Sequence, residues 1–185
     1  MRVLGVDPGL ATTGYALLDN GAGRVRVLEA GVVRSTMRVA LTRRLAEIHA
    51  GIGGVLNEFH PDVLVLEELY AHYAHPTTAI LMGHARGVIC LAAATARVPV
   101  VGYLPTRIKK AIVGRGHATK AQVQRMIQAL LGLRQPPEPD DVADALALAL
   151  AHLHIIGTGS IFSATSGRRK NRTGCIIRAA LEAAS

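Results

Sequence analysis

The sequence predicts an α/β fold in which a five-stranded mixed sheet is flanked by helices. Short, continuous apolar runs bounded by turn residues predict strands, and longer segments with apolar residues at steps of three and four predict helices. The order in which the two kinds of segment follow each other predicts three antiparallel strands and then two parallel ones. At 185 residues, half of them apolar, the chain can bury one sizeable core.

The first three strands are predicted between residues 3 and 33. Val3–Val6 is a continuous apolar run that stops at Asp7-Pro8-Gly9, which is typical of a central strand ended by turn residues. Thr12–Asp19 and Arg24–Val33 flank Asn20-Gly21-Ala22-Gly23, a turn sequence that predicts a β-hairpin. These three strands are therefore expected to pair antiparallel in sequence order.

The later elements alternate helices with strands. A helix is predicted from about Val39 to Phe59, and Val63–Leu66 follows as a buried strand. A crossover helix between two strands implies parallel pairing. The remaining predicted elements are the helix Pro76–Arg97, the strand Val98–Leu104, the helix Thr119–Leu131 with a capping-box pattern at Thr119 and Gln122, and the helix from Pro139 to about His154.

The charge balance favours a polyanionic partner. Lys and Arg outnumber Asp and Glu by 21 to 13, and the sequence pI is about 10.2. Half of the net charge of +8 lies after residue 156, where Gly, Ser and Thr are followed by a basic run. We therefore expect a domain over residues 1–156 and a basic, mobile tail over residues 157–185. A generic basic surface would explain the charge as well, so the motifs must decide.

The chain carries no pattern of a secreted or membrane protein. Its two cysteines, Cys90 and Cys175, imply no disulfide framework. The longest apolar stretch, Val142–Ile156, is interrupted by Asp144 and two histidines. We expect a cytoplasmic protein with no membrane association.

Carboxylates stand where a catalytic centre would form. Asp7 and Glu67 each follow a buried strand, so both are expected at one edge of the sheet. Asp140, Asp141 and Asp144 open the last helix, and the last two share a face. Oxygen ligands of this kind suit Mg²⁺ or Mn²⁺, and two ions roughly 4 Å apart would activate a water and stabilise a leaving oxygen. Taken singly, these acids could also only begin a turn or complement a helix dipole.

The same residues belong to a series of motifs in a characteristic order. Over about 155 residues the series resembles the RuvC family of Holliday junction resolvases. The motifs are Val-Leu-Gly-Val-Asp-Pro-Gly-Leu-Ala-Thr-Thr-Gly-Tyr from Val3, Glu67 after its strand, Gly83-His-Ala-Arg-Gly87, Val113-Gly-Arg-Gly-His-Ala-Thr-Lys120-Ala-Gln-Val-Gln124, and Asp141-Val-Ala-Asp-Ala-Leu-Ala147.

This resemblance implies an RNase H-like fold and a homodimer that uses Mg²⁺, with two ions in each active site, to cut a four-way DNA junction at two symmetry-related phosphodiesters. It also implies cooperation with the branch-migration proteins RuvA and RuvB. By resemblance the metal ligands are Asp7, Glu67, Asp141 and Asp144. The adjacent acids Glu68 and Asp140 could be mistaken for ligands, because sequence does not show where a side chain points.

A basic segment surrounds Gly114 and Gly116, where the backbone could follow phosphates. Its residues are Arg107, Lys109, Lys110, Arg115, His117, Lys120 and Arg125. An ordinary basic helix face is the alternative. The resemblance singles out Lys109 and Lys120 as groups that stabilise charge near the scissile phosphate, and Tyr70 as the aromatic side chain that stacks on a base at the junction centre.

Two other functions fit part of the sequence. Asp7-Pro8-Gly9 through Gly14 also looks like the first phosphate motif of actin-like ATPases and sugar kinases. Those proteins carry two such domains, however, and that function would leave the acids of the last helix unexplained. A non-catalytic junction-binding module would need the basic segment but not four converging acids. ATP binding would separate the first alternative from a nuclease.

Overall fold

Five strands form one mixed sheet within residues 1–21, 24–68 and 76–157, the residues that the computed structural model describes. The strands are β1 (Arg2–Asp7), β2 (Thr12–Gly21), β3 (Arg24–Arg34), β4 (Val63–Glu67) and β5 (Val100–Tyr103), and they lie in the order β3-β2-β1-β4-β5. The first three pair antiparallel, whereas β4 pairs parallel with both β1 and β5. The predicted sheet is confirmed, although β5 is shorter than the Val98–Leu104 strand expected.

Five helices flank this sheet in the described ranges. They are α1 (Leu41–Phe59), α2 (Pro76–Thr95), α3 (Pro105–Val113), α4 (Lys120–Leu131) and α5 (Asp140–Ile155). α2 ends earlier than predicted, and Arg97 just beyond it has a left-handed backbone with φ 57°. The capping box predicted at the start of α4 is present, since Thr119 and Gln122 bond each other's backbone N–H groups.

The sequence interpretation missed α3. Pro105 occupies its first turn, where a missing N–H costs nothing, and Ile108 and Ile112 lie one turn apart on its buried face. Gly114, with φ 81°, ends the helix in the left-handed conformation. These signals are present in the sequence. The basic residues of the same segment, however, favoured its interpretation as a backbone that follows phosphates.

The strands alternate between two cores. Val3 and Val65 belong to the core beneath α3, α4 and α5, whereas Leu4 and Leu66 belong to the core beneath α1 and α2. Because successive side chains of a strand point to opposite faces, Asp7 and Glu67 lie on the α5 face of the sheet. Both carboxylates therefore emerge on the side where α5 begins.

Two glycines bring the backbone of α5 directly onto the sheet. A Cβ atom at Gly5 would stand 2.1 Å from the carbonyl oxygen of Ala145, and one at Gly14 would stand 2.1 Å from that of Asp141. Glycine inside a strand commonly marks such a close backbone approach. Gly5 and Gly14 thus set the distance between the strand-end carboxylates and those of α5.

α2 is an apolar helix with one buried and one exposed side. By length and composition alone, Thr77–Thr95 is apolar enough to cross a membrane. Ala85 and Ile89, however, are fully buried in the core shared with α1. On the opposite side, Ile80 is 61% exposed and Leu91 is 58% exposed.

Candidate active site

Four carboxylates converge where the carboxyl ends of β1 and β4 meet the start of α5. The pKa of Asp7 is raised to about 7, first by burial and then by the nearby negative charges of Asp144, Glu67 and Asp141 in that order, against the opposing charge of Lys120. Burial and the charge of Asp144 also raise the pKa of Glu67, while Lys109 lowers it. The sequence-predicted set is therefore an electrostatically coupled group.

A cleft of about 240 Å³ opens beside these acids. It is lined by Glu67 and Asp144, by Lys109 from α3 and by Lys120 from the start of α4. Apolar side chains of α3, α4 and α5 complete the lining, including Ile108, Val123, Ala147 and Leu148. Acids that attract cations and lysines that attract phosphate thus face the same space.

Lys120 joins two of the aspartates of α5. Its Nζ lies 3.0 Å from Oδ2 of Asp144 and 3.2 Å from Oδ2 of Asp140, and Gln124 donates a hydrogen bond of 3.0 Å to the other oxygen of Asp140. Burial opposes the charge of Lys120, but these two carboxylates raise its pKa overall. In this structure the partner of Asp144 is therefore Lys120.

The donor set fits a hard divalent cation. Among the residues that the structure describes, no three His, Cys, Asp or Glu side chains are already arranged around one point as metal ligands would be. A cation between carboxylates that raise one another's pKa would offset their repulsion, as Lys120 does in part. Carboxylate oxygen without thiolate or imidazole suits Mg²⁺ or Mn²⁺.

The acids next to the predicted ligands lie apart from the cleft. Glu68 follows the alternation of β4 to the α2 face, where its Cγ would stand 2.9 Å from a Cβ atom at Gly102. Asp140 is exposed and engaged by Lys120 and Gln124. Strand parity, which sequence reasoning did not apply here, distinguishes Glu67 from Glu68.

The other predicted DNA-binding residues divide into three groups. Arg107 lies over the ring of Tyr103, with its Cζ 5.2 Å from the ring centroid. Arg115 and His117 are exposed in the connection between α3 and α4. Lys110 is turned away from the cleft and lines a second cavity near His154. Tyr70, the predicted stacking residue, lies outside the described residues.

Sequence reasoning missed two polar contacts near the cleft. The hydroxyl of Tyr103 lies 2.9 Å from Nδ1 of the buried His152, and this pair supports the ring under Arg107. Arg86 donates a 2.7 Å hydrogen bond to the main-chain oxygen of Glu67. Arg86 stood in the quoted Gly83–Gly87 motif without an assigned role, whereas no sequence signal linked Tyr103 with His152.

Asp7→Asn is expected to stabilise the metal-free protein in a pH-dependent way. The pKa of Asp7 rises from 3.8 to about 7 on folding, so the folded state holds a proton that the unfolded state releases, and stability falls as pH rises through that window. Asn removes this cost. In EDTA the variant should gain about 1 to 3 kcal/mol in unfolding free energy above pH 7, and the gain should shrink toward pH 5. Urea denaturation at pH 5, 6, 7 and 8 measures it, and a gain independent of pH would contradict it.

The sheet order, the pairing directions and the carboxylates at its edge define an RNase H-like protein. The family "Crossover junction endodeoxyribonuclease RuvC" matches residues 3–152. Similar curated proteins include that of Rhodopirellula baltica, 52% identical over 148 residues (80% of this chain and 83% of the relative), and that of Moorella thermoacetica, 47% identical over 152 residues (82% and 90%). Both carry the name crossover junction endodeoxyribonuclease RuvC.

Solved structures agree with this assignment. T. thermophilus RuvC in complex with a Holliday junction substrate superimposes with a TM-score of 0.79 at 37% identity, over 85% of this chain and 97% of that one. The yeast mitochondrial Holliday junction resolvase Ydc2, at 14% identity and a TM-score of 0.62, shares the fold over 84% of this chain and 79% of its own. The chain belongs to the RuvC family of crossover junction endodeoxyribonucleases.

Proposed function

We propose that this protein is a structure-selective endonuclease that resolves four-way DNA junctions by metal-dependent hydrolysis of two symmetry-related phosphodiester bonds. The observation that carries the proposal is the convergence of four carboxylates, two of which line a cleft together with Lys109 and Lys120. Family membership supports the substrate, because a relative of 37% identity is known bound to a Holliday junction.

The acids and the lysines have different proposed roles. Asp7, Glu67, Asp141 and Asp144 would hold Mg²⁺ or Mn²⁺, with two ions proposed for each site. The ions supply an activated water and charge stabilisation for the leaving oxygen. Lys120, which pairs with Asp144 in this structure, would contact the phosphate together with Lys109. The basic surface of Arg107, Arg115 and His117 holds the flanking backbone.

The direct test compares substrates and ions. Labelled four-way junction and matched duplex are each incubated with the protein in Mg²⁺, Mn²⁺, Ca²⁺ or EDTA. Paired, symmetrical cuts in the junction with Mg²⁺ or Mn²⁺, and none with EDTA, are expected. Equal cutting of duplex would overturn junction selectivity, and ATP binding without cleavage would favour the actin-like ATPase alternative.

Lys109→Ala and Lys120→Ala should reduce the rate of cleavage more than the affinity for the junction. We expect a rate loss of about 10²- to 10³-fold at saturating protein, because each lysine stabilises charge that develops at the scissile phosphate. Single-turnover rates and binding in Ca²⁺ measure the two effects separately. Lys110→Ala is the matched control, since Lys110 faces the second cavity, and its rate should stay near wild type. An affinity loss that accounts for the whole rate loss would exclude the catalytic role.

We also propose that the protein acts as a homodimer, joined through the exposed side of α2. A two-fold symmetric junction needs two sites related by the same operator, which an isologous dimer provides. Leu91→Glu should therefore yield monomers that nick junctions at most singly, whereas Leu28→Glu on β3, 42% exposed, is the matched control. Analytical ultracentrifugation and counting of paired cuts check this. Paired cutting by a Leu91→Glu monomer would contradict it.

Three finer proposals rest on family membership and element positions. Cooperation with RuvA and RuvB and action in the cytoplasm follow from the family alone. The nuclease domain is assigned to residues 1–156, because every element that lines the cleft precedes Ile156. The mobile basic tail was expected over residues 157–185, and all of these except Gly157 lie outside the described residues.

A further inference from the structure

Arg86 of α2 reaches the end of β4 and bonds its last residue. Nη1 of Arg86 donates to the main-chain oxygen of Glu67 at 2.7 Å. This is a contact to the backbone of a proposed metal ligand, made from the sheet face opposite to the carboxylate cleft. The contact gives a structural role to Gly83–Gly87, the one motif that the proposed reaction does not use.

The carbonyl that Arg86 binds has no donor in the sheet. Because the N–H of Glu68 bonds the oxygen of Tyr103 in β5 at 2.9 Å, the carbonyl of Glu67 points to the other side, toward β1. The register pairs Val6 with Leu66, and its continuation would bring the main-chain nitrogen of residue 8 to this carbonyl. Residue 8 is Pro8, which has no N–H.

The space around Gly102 lets the guanidinium reach this position. Nη2 of Arg86 would lie 3.5 Å from a Cβ atom at Gly102, and Cγ of Glu68 would lie 2.9 Å from the same point. The side chains of Arg86 and Glu68 therefore share the space that Gly102 leaves on the α2 face.

We propose that Arg86 is a positioning residue that replaces the backbone donor absent at Pro8 and thereby holds Glu67 in its metal-binding orientation. The inference rests on the proposed function of Glu67. β4 ends at Glu67, so without Arg86 its last peptide is held on the β5 side alone. Metal ligands must be held to within about 0.5 Å, and loss of such a support typically lowers metal affinity or activity about 10- to 100-fold.

The test measures metal binding apart from cleavage in Arg86→Gln, Arg86→Lys and the control Arg43→Gln. Arg43 is an exposed α1 residue paired with Glu47, far along the chain from the cleft. Mn²⁺ affinity without DNA, from calorimetry and electron paramagnetic resonance, should fall about 10-fold or more in Arg86→Gln, and partly recover in Arg86→Lys. Junction affinity in EDTA and the circular dichroism spectrum should match wild type. Pro8→Ala added to Arg86→Gln returns an N–H to the carbonyl and should recover part of the loss.

The results separate this inference from the proposed function. If the wild type cuts junctions and Arg86→Gln keeps the wild-type Mn²⁺ affinity and cleavage rate, the role of Arg86 is overturned. The proposed nuclease function then still stands. Wild-type protein that binds Mn²⁺ but cuts no junction would overturn the function, while weaker Mn²⁺ binding in Arg86→Gln would still support the positioning role. An equal loss of Mn²⁺ affinity in Arg43→Gln would show that the effect is not specific to Arg86, and it would reject the inference.

Discussion

Asp144→Asn is expected to lower the rate of junction cleavage by at least about a thousandfold, and Asp140→Asn by less than about tenfold. Asp144 faces the cleft with Glu67 and is the strongest charged influence on the pKa of Asp7. Its substitution would remove one of the proposed metal ligands. Asp140 is 67% exposed and only shares Lys120 with Asp144. Single-turnover cleavage at saturating Mg²⁺ measures both rates.

Junction binding supplies the control for this pair. Both variants should bind the junction in Ca²⁺ or EDTA as wild type does or better, because a lost negative charge near DNA does not weaken phosphate contacts. Asp7→Asn, Glu67→Gln and Asp141→Asn are expected to behave like Asp144→Asn. If Asp140→Asn were inactive and Asp141→Asn active, the proposed ligand on this helix would be wrong by one residue.

Gly5→Ala is expected to destabilise the protein by about 3 to 5 kcal/mol. The new Cβ would stand 2.1 Å from the oxygen of Ala145 and 2.9 Å from the nitrogen of Ala149, both backbone atoms of α5. Neither can move unless the helix shifts off the sheet, and a shift would carry Asp141 and Asp144 away from Asp7. Urea denaturation measures the stability, and Mn²⁺ affinity reports the site.

Gly53→Ala is the matched control for Gly5→Ala. A Cβ at Gly53 meets no atom within 4 Å, and Gly53 lies inside α1, so Ala should stabilise by up to about 1 kcal/mol. If Gly5→Ala kept wild-type stability and metal affinity, α5 would not lie as close to β1 as described here.

The elements with strong local signals were predicted correctly. The apolar runs of β1 and β4, the pairing of β2 with β3 as a hairpin and the capping box of α4 each depend on neighbours within a few residues. α3 was missed although Pro105 and Gly114 bound it, because its nine residues hold only one buried pair one turn apart. A short amphipathic helix gains most of its stability from tertiary packing, and local pattern represents it poorly.

The acids of the candidate site were predicted from the sequence, whereas the side chains that contact them were not. Asp7 and Glu67 follow strands whose parallel pairing places them at one edge, so sequence order was enough to bring them together. The partner of Asp144 is Lys120, 24 residues away, and the partner of the Glu67 carbonyl is Arg86, 19 residues away. No periodicity in the sequence encodes contacts between separate elements.

The sequence by itself determined the order of the five strands and of four of the five described helices, the positions of the four acids and the family, because each of these depends on residue type and spacing along the chain. The tertiary structure alone decided which acids face the cleft, how closely α5 approaches Gly5 and Gly14, and which side chains hold Glu67 and Asp144. Those features depend on the packing of distant segments against each other. Such packing is a property of the whole fold, in which a displacement of one helix by a few ångströms would change the site without changing any motif.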